Sequence, residues 1–344
     1  MTVPAFELAS ALEAREPPEA RGLARDEVRL LVARRARGSL VHARFRQLPQ
    51  LLGPGDVLVI NLSATIPAAV PAVRSDGERV RVHFATPARG LADSWRVVEL
   101  RSADGASPVR GRAGSRLMLS GGAELELVAP YASGARLMLA AFNGVGPVDS
   151  YLRRYGEPIR YRHVVKRWPL EAYQNVYARI PGSAEMPSAG RPFTPELVTR
   201  LVAVGIAFAP LTLHAGVSSP ERREPPFPEY FEVPDHSARL LGLARESGGR
   251  VIAVGTTVVR ALETVARPDG TVRAGSGWTD LAVTPERGLW ATDGLITGWH
   301  EPESSHLWML EAAAGAELLT RSYHCALEAG YLWHEFGDSH LILP

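Results

Sequence analysis

Residues 53–84 read GPGDVLVINLSATIPAAVPAVRSDGERVRVHF, and the change of rhythm within them decides the fold. Asp56 to Asn61 is a continuous apolar run between Gly53-Pro54-Gly55 and Ser63, the pattern of a strand covered on both faces. Pro67 and Pro71 then interrupt, and from Arg79 apolar and polar residues alternate. The alternation returns at Trp95–Leu100, Arg116–Leu119, Glu124–Val128 and Arg136–Leu139. Turn signals separate these runs at Ser75-Asp76-Gly77, Ala103-Asp104-Gly105 and Ser120-Gly121-Gly122. Short strands with one wet face and no helix between them predict a small antiparallel β-barrel over residues 69–147.

On either side of that insertion the rhythm is helix and strand. Thr194-Pro195-Glu196 opens a helix, with proline in its first turn. Ile206–His214 and Arg250–Gly255 read as buried strands, Ser237–Ser247 as a helix stopped by Gly248-Gly249. Thr256 or Thr257 is expected to cap the next helix, which carries Val259, Leu262 and Val265 on one face. Gly294–Trp299 reads as a strand, and a helix follows from about Ser304 to Ala314. The expected fold is an α/β main domain, a mixed sheet with helices, made of residues 1–68 and 148–344 and split by the barrel.

Composition narrows the function. With 344 residues, 46% hydrophobic and 22% charged, the chain fits a globular protein with sizeable cores. No run approaches the roughly 18 apolar residues of a membrane span, and the N-terminus lacks a signal-peptide pattern, so the expectation is a cytoplasmic protein with no membrane partner. The single cysteine, Cys325, excludes an intramolecular disulfide and multi-cysteine metal sites, and is expected as a small core residue of a helix. Net charge is only +1, but arginines cluster at 34, 35, 37, 44 and 46, and again at 153, 154, 160, 162 and 167 around Lys166. Such clusters suit a phosphate backbone or simply a solvated face.

Ligands of open α/β folds gather beyond the C-terminal ends of strands. Three expected strand ends carry polar residues there: His214, Thr256-Thr257 and His300. The loops Ser188-Ala189-Gly190 and Trp278-Thr279-Asp280 add small and polar groups. Each histidine has a structural reading beside the catalytic one, and Thr256-Thr257 serves either an anion or a helix cap. Trp278 suits stacking on an adenine or burial in a core. The GxGxxG and GxxxxGK[ST] loops, the GxSxG elbow and HExxH are missing. Glu301, Glu303 and His306 invite a metal, but without further ligands at a telling spacing they read as an exposed acidic turn, and no metal is expected.

The stretch YQNVYARIPGSAEMPSAGRPFT, residues 173–194, pairs the aromatic flank Tyr173, Val176 and Tyr177 with a small-residue loop where backbone can approach a ligand. Together with Thr212-Leu213-His214, Gly255-Thr256-Thr257, Gly277-Trp278-Thr279-Asp280 and Asp293–Thr297, it resembles the S-adenosylmethionine:tRNA ribosyltransferase-isomerases of queuosine biosynthesis. Matches begin at Phe6-Glu7-Leu8 and end at Phe336–Ile342. The resemblance implies S-adenosylmethionine as ribosyl donor, a deazaguanine in a tRNA anticodon loop as acceptor, and epoxyqueuosine with adenine and methionine as products. It implies His300 or His214 as acid or base and Glu229 as the group that orients or accepts a proton. Tyr177, Ser188, Ala189, Gly190 and Arg260 are implied at the donor, with Thr256, Thr257, Trp278 and Thr279; Asp280 is implied at ribose hydroxyls or adenine.

Some family motifs differ here. Asp-Thr-Arg-Val-Ile-Pro-Ala-Arg is replaced by Leu62-Ser63-Ala64-Thr65-Ile66-Pro67-Ala68-Ala69, and Gly-Leu-His-Phe by Gly190-Arg191-Pro192-Phe193. Gly-Thr-Phe has become Ser218-Ser219-Pro220, Met-His-Ser-Glu is Pro226-Phe227-Pro228-Glu229, and Glu301 and Glu303 follow His300. Lost arginines and added acids remove phosphate contacts and count against tRNA as the acceptor. Two alternatives therefore stand beside the family reaction. One is a paralogue that cleaves or rearranges S-adenosylmethionine with a small-molecule acceptor or none; the other is a non-catalytic nucleotide- or RNA-binding module. The oligomeric state is not legible in the sequence.

Overall fold

The structure is a computed structural model that describes residues 6–131, 136–217, 226–302 and 304–344; Ser218-Ser219-Pro220 and Glu303 lie outside the described residues. The chain opens with a hairpin of β1 (Arg29–Arg34) and β2 (Ser39–Arg44), a turn of helix α1 (Leu48–Leu51), then β3 (Val57–Asn61) and the short β4 (Ser63–Thr65). Six strands follow: β5 (Ala69–Arg74), β6 (Arg79–Pro87), β7 (Trp95–Ser102), β8 (Arg116–Leu119), β9 (Glu124–Pro130) and β10 (Leu137–Asn143). After α2 (Val148–Tyr155) come β11 (Ile180–Ser183), α3 (Pro195–Ala203), β12 (Ala207–Leu213), β13 (Glu229–Val233) and α4 (Asp235–Glu246). The chain ends with β14 (Val251–Val254), α5 (Thr256–Val265), β15 (Gly275–Thr279), β16 (Gly294–Gly298), α6 (His306–Ala314), α7 (Ala316–Glu328) and β17 (Ser339–Leu343).

Nine of these strands form one mixed sheet in the order β15-β13-β12-β3-β14-β16-β17-β1-β2. All five residues of β3 are buried, between parallel neighbours β12 and β14. Val57 and Val59 face a core with Leu241, Val259 and Leu262, whereas Leu58 and Ile60 face Phe193, Leu197 and Leu201. Helices cover both faces, which is why the run is apolar without alternation. The six-strand set closes into an antiparallel barrel, β10-β7-β6-β5-β8-β9, with Val80, Val82 and Phe84 in its core. Both parts of the expected fold class are present. The Thr194 side chain caps α3 by accepting from the Leu197 amide at 3.1 Å, as the sequence indicated. Among the described residues no helix is long and apolar enough to cross a membrane.

Asp56 anchors the start of β3. It accepts from the Gly53 amide at 2.8 Å and from Arg250 through the backbone amide, Nε and Nη2 at 3.1, 3.0 and 2.6 Å. Burial opposes the charged carboxylate, but the Arg250 and backbone donors outweigh it and hold the carboxyl below its ordinary value of 3.8. A lowered native pKa contributes stability above the unfolded value and loses it as pH falls through the native one. Asp56→Asn is expected to cost about 1.5–3 kcal/mol at neutral pH. The gap between variant and parent should close as urea titrations are repeated below pH 3.8; a gap unchanged at low pH overturns the assignment.

Two details differ from the sequence reading. Cys325 is half-buried at the edge of the core, with its sulfur 3.5 Å from His42 Nε2. Val176 is exposed, while Tyr173, three residues earlier at the end of a 3-10 turn, is buried against Phe336.

Candidate active site

A cavity of about 510 Å³ opens beyond the C-terminal ends of β12, β14 and β16, and barrel residues Arg101 and Arg136 close its far side. Its floor is made by chain leaving the sheet: Ala215-Gly216-Val217 after β12, Gly255-Thr256-Thr257 after β14, and Gly298-Trp299-His300 after β16. This is the crevice in which open α/β folds bind ligands.

Gly255 makes the turn from β14 into α5 with a φ of 103°, a conformation that a side chain disfavours. It is also the N-cap, with no side-chain capping bond. Thr256 and Thr257 are therefore the first helical residues and not the cap; both line the cavity. Ser188-Ala189-Gly190 forms one tight 3-10 turn across this corner, where a Cβ on Gly255 would touch the Ala189 Cβ at 3.4 Å. Ser188 and Ala189 line the cavity, whereas Gly190 packs behind them on Tyr177. A Cβ on Gly190 would lie 2.1 Å from the Tyr177 hydroxyl and 2.7 Å from Asn175 Nδ2. Gly190→Ala is thus expected to lose about 1–3 kcal/mol through overpacking. Tyr177→Phe in the same chain should recover part of the loss in thermal melts, and no recovery would show that the hydroxyl is not the obstacle.

Glu229, first in β13, is buried and fully engaged. Its Oε1 accepts from the Gly216 amide at 2.6 Å, and its Oε2 pairs with Arg260 Nη1. Arg260, from α5, also donates to the carbonyls of Leu281 at 3.2 Å, Phe227 at 3.3 Å and Thr279 at 2.9 Å. The pair ties helix, strand and two loops together at the cavity wall.

His300 lies in the same wall. Its Nε2 sits 2.9 Å from Thr297 Oγ1, and the other ring nitrogen has no partner among the described residues. The His300 carbonyl accepts from Trp333 Nε1 at 3.1 Å, and its amide donates to the Tyr323 hydroxyl at 3.3 Å, so the backbone is fixed from two sides. Its ring stacks on His306 with centroids 4.6 Å apart. Burial, reinforced by His306, His334 and His340, holds His300 well below the usual 6.5, so the imidazole is neutral and suited to accept a proton. Burial and Arg260 likewise lower His306 to about 4. His306 is thus a half-buried part of the cavity wall and not the exposed acidic turn read from the sequence. Glu301 does line the cavity.

His214 follows β12 as expected but faces away from the cavity wall. Its Nδ1 is 2.8 Å from Ser63 Oγ, its ring stacks on Tyr230 at 5.9 Å, and a Cβ on Gly182 would collide with it at 2.4 Å. Burial depresses its pKa. Trp278 meets Tyr230 edge-on at 6.1 Å, Thr279 Oγ1 bonds Thr264 Oγ1 at 2.6 Å, and Asp280 is exposed. None of the three lines the cavity, because β15 is the sheet edge beyond β13.

Sequence reasoning missed the wall opposite the sheet. Tyr161, whose hydroxyl donates to Glu185, stands beside Arg101 and Arg136, which flank the buried Glu99 at 3.2 Å each. Next to them His163 Nε2 contacts Glu335 Oε2 at 2.8 Å and stacks on His334 at 4.0 Å. Burial works against a charged His163, but Glu335 raises its pKa overall, while burial and then His163 lower that of His334. No periodicity brings residues 161–163 to 334–335; only the barrel's placement does. Asn61 was also missed, although its place at the end of β3 was a signal. Its Nδ2 donates to the Leu213 carbonyl at 2.8 Å, and its Oδ1 accepts from Ser63 and Leu213 at 3.0 Å each.

Known proteins are similar to this chain over nearly its whole length. The family model described as queuosine biosynthesis protein matches residues 4–342. A protein of Moorella thermoacetica named S-adenosylmethionine:tRNA ribosyltransferase-isomerase is 38% identical over 351 residues, covering 98% of each chain. One of the same name from Symbiobacterium thermophilum is 38% identical over 349 residues, again 98% of each. The crystal structure of S-adenosylmethionine tRNA ribosyltransferase from Thermotoga maritima aligns with a TM-score of 0.56 at 28% identity, over 98% of this chain and 99% of that one. With a family match across nearly its whole length and relatives of this identity and coverage, the chain belongs to the queuosine biosynthesis protein family.

Proposed function

We propose that the chain is an S-adenosylmethionine-dependent tRNA ribosyltransferase-isomerase, the activity named for its relatives. The observation that carries this reading is His300, held through one ring nitrogen by Thr297, in one cavity of about 510 Å³ with the first turn of α5. That volume suits a nucleoside-sized donor together with the reacting part of an acceptor. The sulfonium of S-adenosylmethionine acidifies the neighbouring methylene, and a neutral imidazole held by Thr297 can take that proton. Adenine leaves with the help of a proton donor. Glu229, committed to Arg260 and the Gly216 amide, shapes the wall and does not shuttle protons. The sheet-side groups Ser188, Ala189, Thr256 and Thr257 hold the donor, and the barrel-side wall of Tyr161, Arg101 and Arg162 receives the acceptor.

Exposed cations support a polyanion. Arg162 lines the cavity, and Arg153, Arg154, Lys166 and Arg167 are exposed on α2 and on the segment that follows it. A second reading, a small-molecule acceptor, is favoured by Glu301 in the wall and by Ala64 and Ala69 where the family carries arginine. Adenine release measured with S-adenosylmethionine alone, and then with deazaguanine-modified tRNA, separates the two. Release only with the modified tRNA supports the proposal, and equal release without it supports the second reading. Donor binding with no release in either case leaves a binding module and overturns both.

A further inference from the structure

We propose that Glu13, His163 and His334 form a binding site for a divalent transition-metal ion of the zinc class in the barrel-facing wall of the cavity. Their ligand atoms all lie within 4.8 Å of one another. Tetrahedral zinc with bonds of about 2.0–2.2 Å holds its donors about 3.4 Å apart, so closing the set requires the stacked His163 and His334 rings, 4.0 Å apart, to turn out of parallel, with His163 Nδ1 as its ligand atom because Nε2 meets Glu335. Two imidazoles and a carboxylate are a donor set suited to zinc and its neighbours and poorly matched to magnesium or calcium, which take oxygen.

Three features point to a cation. His334 Nε2 is buried with no hydrogen-bond partner, and it stops 3.6 Å from Glu13 Oε1 although its side chain is only 10% exposed. A buried imidazole nitrogen left without a partner costs free energy unless something occupies that position. His334 is, second, the one non-glycine residue among those described with a positive φ, 71°. Such backbone is unfavourable for a side chain and persists where its surroundings demand it. Third, the ion-pair partners of the half-buried Glu13 and Glu335 among the described residues are imidazoles, where several buried acids have arginine. Glu229 is paired with Arg260, Glu99 with Arg101 and Arg136, and Asp338 with Arg29, whereas Glu13 meets His334 and Glu335 meets His163.

Backbone pairing fixes the positions. The Ala14 amide donates to the Trp333 carbonyl at 3.2 Å and the Trp333 amide to the Leu12 carbonyl at 2.8 Å, setting Glu13 beside His334. Glu335 contacts the His163 ring at 2.8 Å and orients it, as outer carboxylates do for metal-bound histidines. The ion would sit in the wall shared with His300 and Glu301, within the same cavity.

The test uses the full chain stripped by a chelator and titrated with Co²⁺, read by the visible d–d absorption of a low-symmetry site, then with Zn²⁺ as competitor. One equivalent of Co²⁺ per chain, displaced by Zn²⁺, is expected. His163→Gln with His334→Asn should weaken binding about 100-fold or more, since loss of an outer-shell partner alone costs 10–100-fold. Asparagine tolerates the left-handed backbone at 334, which protects the fold. Glu13→Gln, which keeps both rings, should weaken binding about 10-fold and serves as a second measure if the double variant misfolds. Absence of a stoichiometric Co²⁺ spectrum in the parent chain, or equal affinity in the folded variants, overturns the site.

Discussion

Replacing His300 with alanine is expected to slow adenine release by about 10²–10⁴-fold, the usual contribution of a positioned general base. Donor affinity should change little, because Thr256, Thr257 and the Ser188 turn remain in place. The fold should survive, since the two bonds that fix this residue from the backbone do not involve its ring. The pH profile gives an independent reading. His300 is neutral because burial, then His306, His334 and His340, oppose its charge, so the acid limb of kcat should lie below the ordinary histidine value of 6.5. His214→Ala is the contrast. That ring is held by Ser63 and Tyr230 away from the cavity wall, and its loss should reduce turnover less than that of His300. Unchanged turnover in His300→Ala would remove it from the chemistry, and a larger loss in His214→Ala would exchange the two assignments.

Arg260→Met is expected to destabilise the protein by about 3–5 kcal/mol, because it leaves Glu229 buried without its partner. The pair is 8% and 9% exposed, so water does little to soften the loss. Three carbonyls, from Phe227, Thr279 and Leu281, also lose their donor. The double variant Arg260→Met, Glu229→Leu removes the stranded charge and should recover much of the stability, as apolar replacements of buried ion pairs often do. Urea midpoints at constant slope measure both changes. A single variant within about 1 kcal/mol of the parent would show that solvent reaches the pair and that its surface-like value applies. Activity in the double variant then separates stability from function, since Glu229 also fixes the Gly216 amide at the cavity floor.

The fold was legible wherever one segment carries its own periodicity. The apolar run of β3, the alternating barrel strands and the Thr194 cap all report local constraints, burial on two faces, burial on one, and an unsatisfied helix end. The site was legible in part, because strand ends can be found from the strands: His300, Glu229, Thr256 and Thr257 do converge. Trp278 lies in a strand and Asp280 just after it, but it is an edge strand, and sheet order is not written in any single strand. The barrel-side wall stayed hidden for a stronger reason. Tyr161, His163 and Glu335 sit in segments without periodicity, and their meeting depends on how a closed barrel docks on a sheet. His306 was misread because two acids nearby in sequence suggested solvent, whereas its stacking on His300 and the Ser304 hydroxyl, 3.0 Å from its Nδ1, turn it toward the cavity.

The position of β17 has a consequence for how the protein reaches this structure. Strand β1 pairs with β17 in parallel, Leu30 opposite Ser339 and Ala33 opposite Ile342, and Arg29 meets Asp338 at 2.7 Å. Until that pairing forms, β1 has only its hairpin partner β2, and the open edge is the apolar run Leu30-Leu31-Val32-Ala33. Contacts spanning this much chain raise contact order, slow the search, and keep an adhesive edge exposed while it lasts. Refolding from denaturant should therefore be slow, and its yield should fall with rising protein concentration as unpaired β1 edges find each other before they find β17.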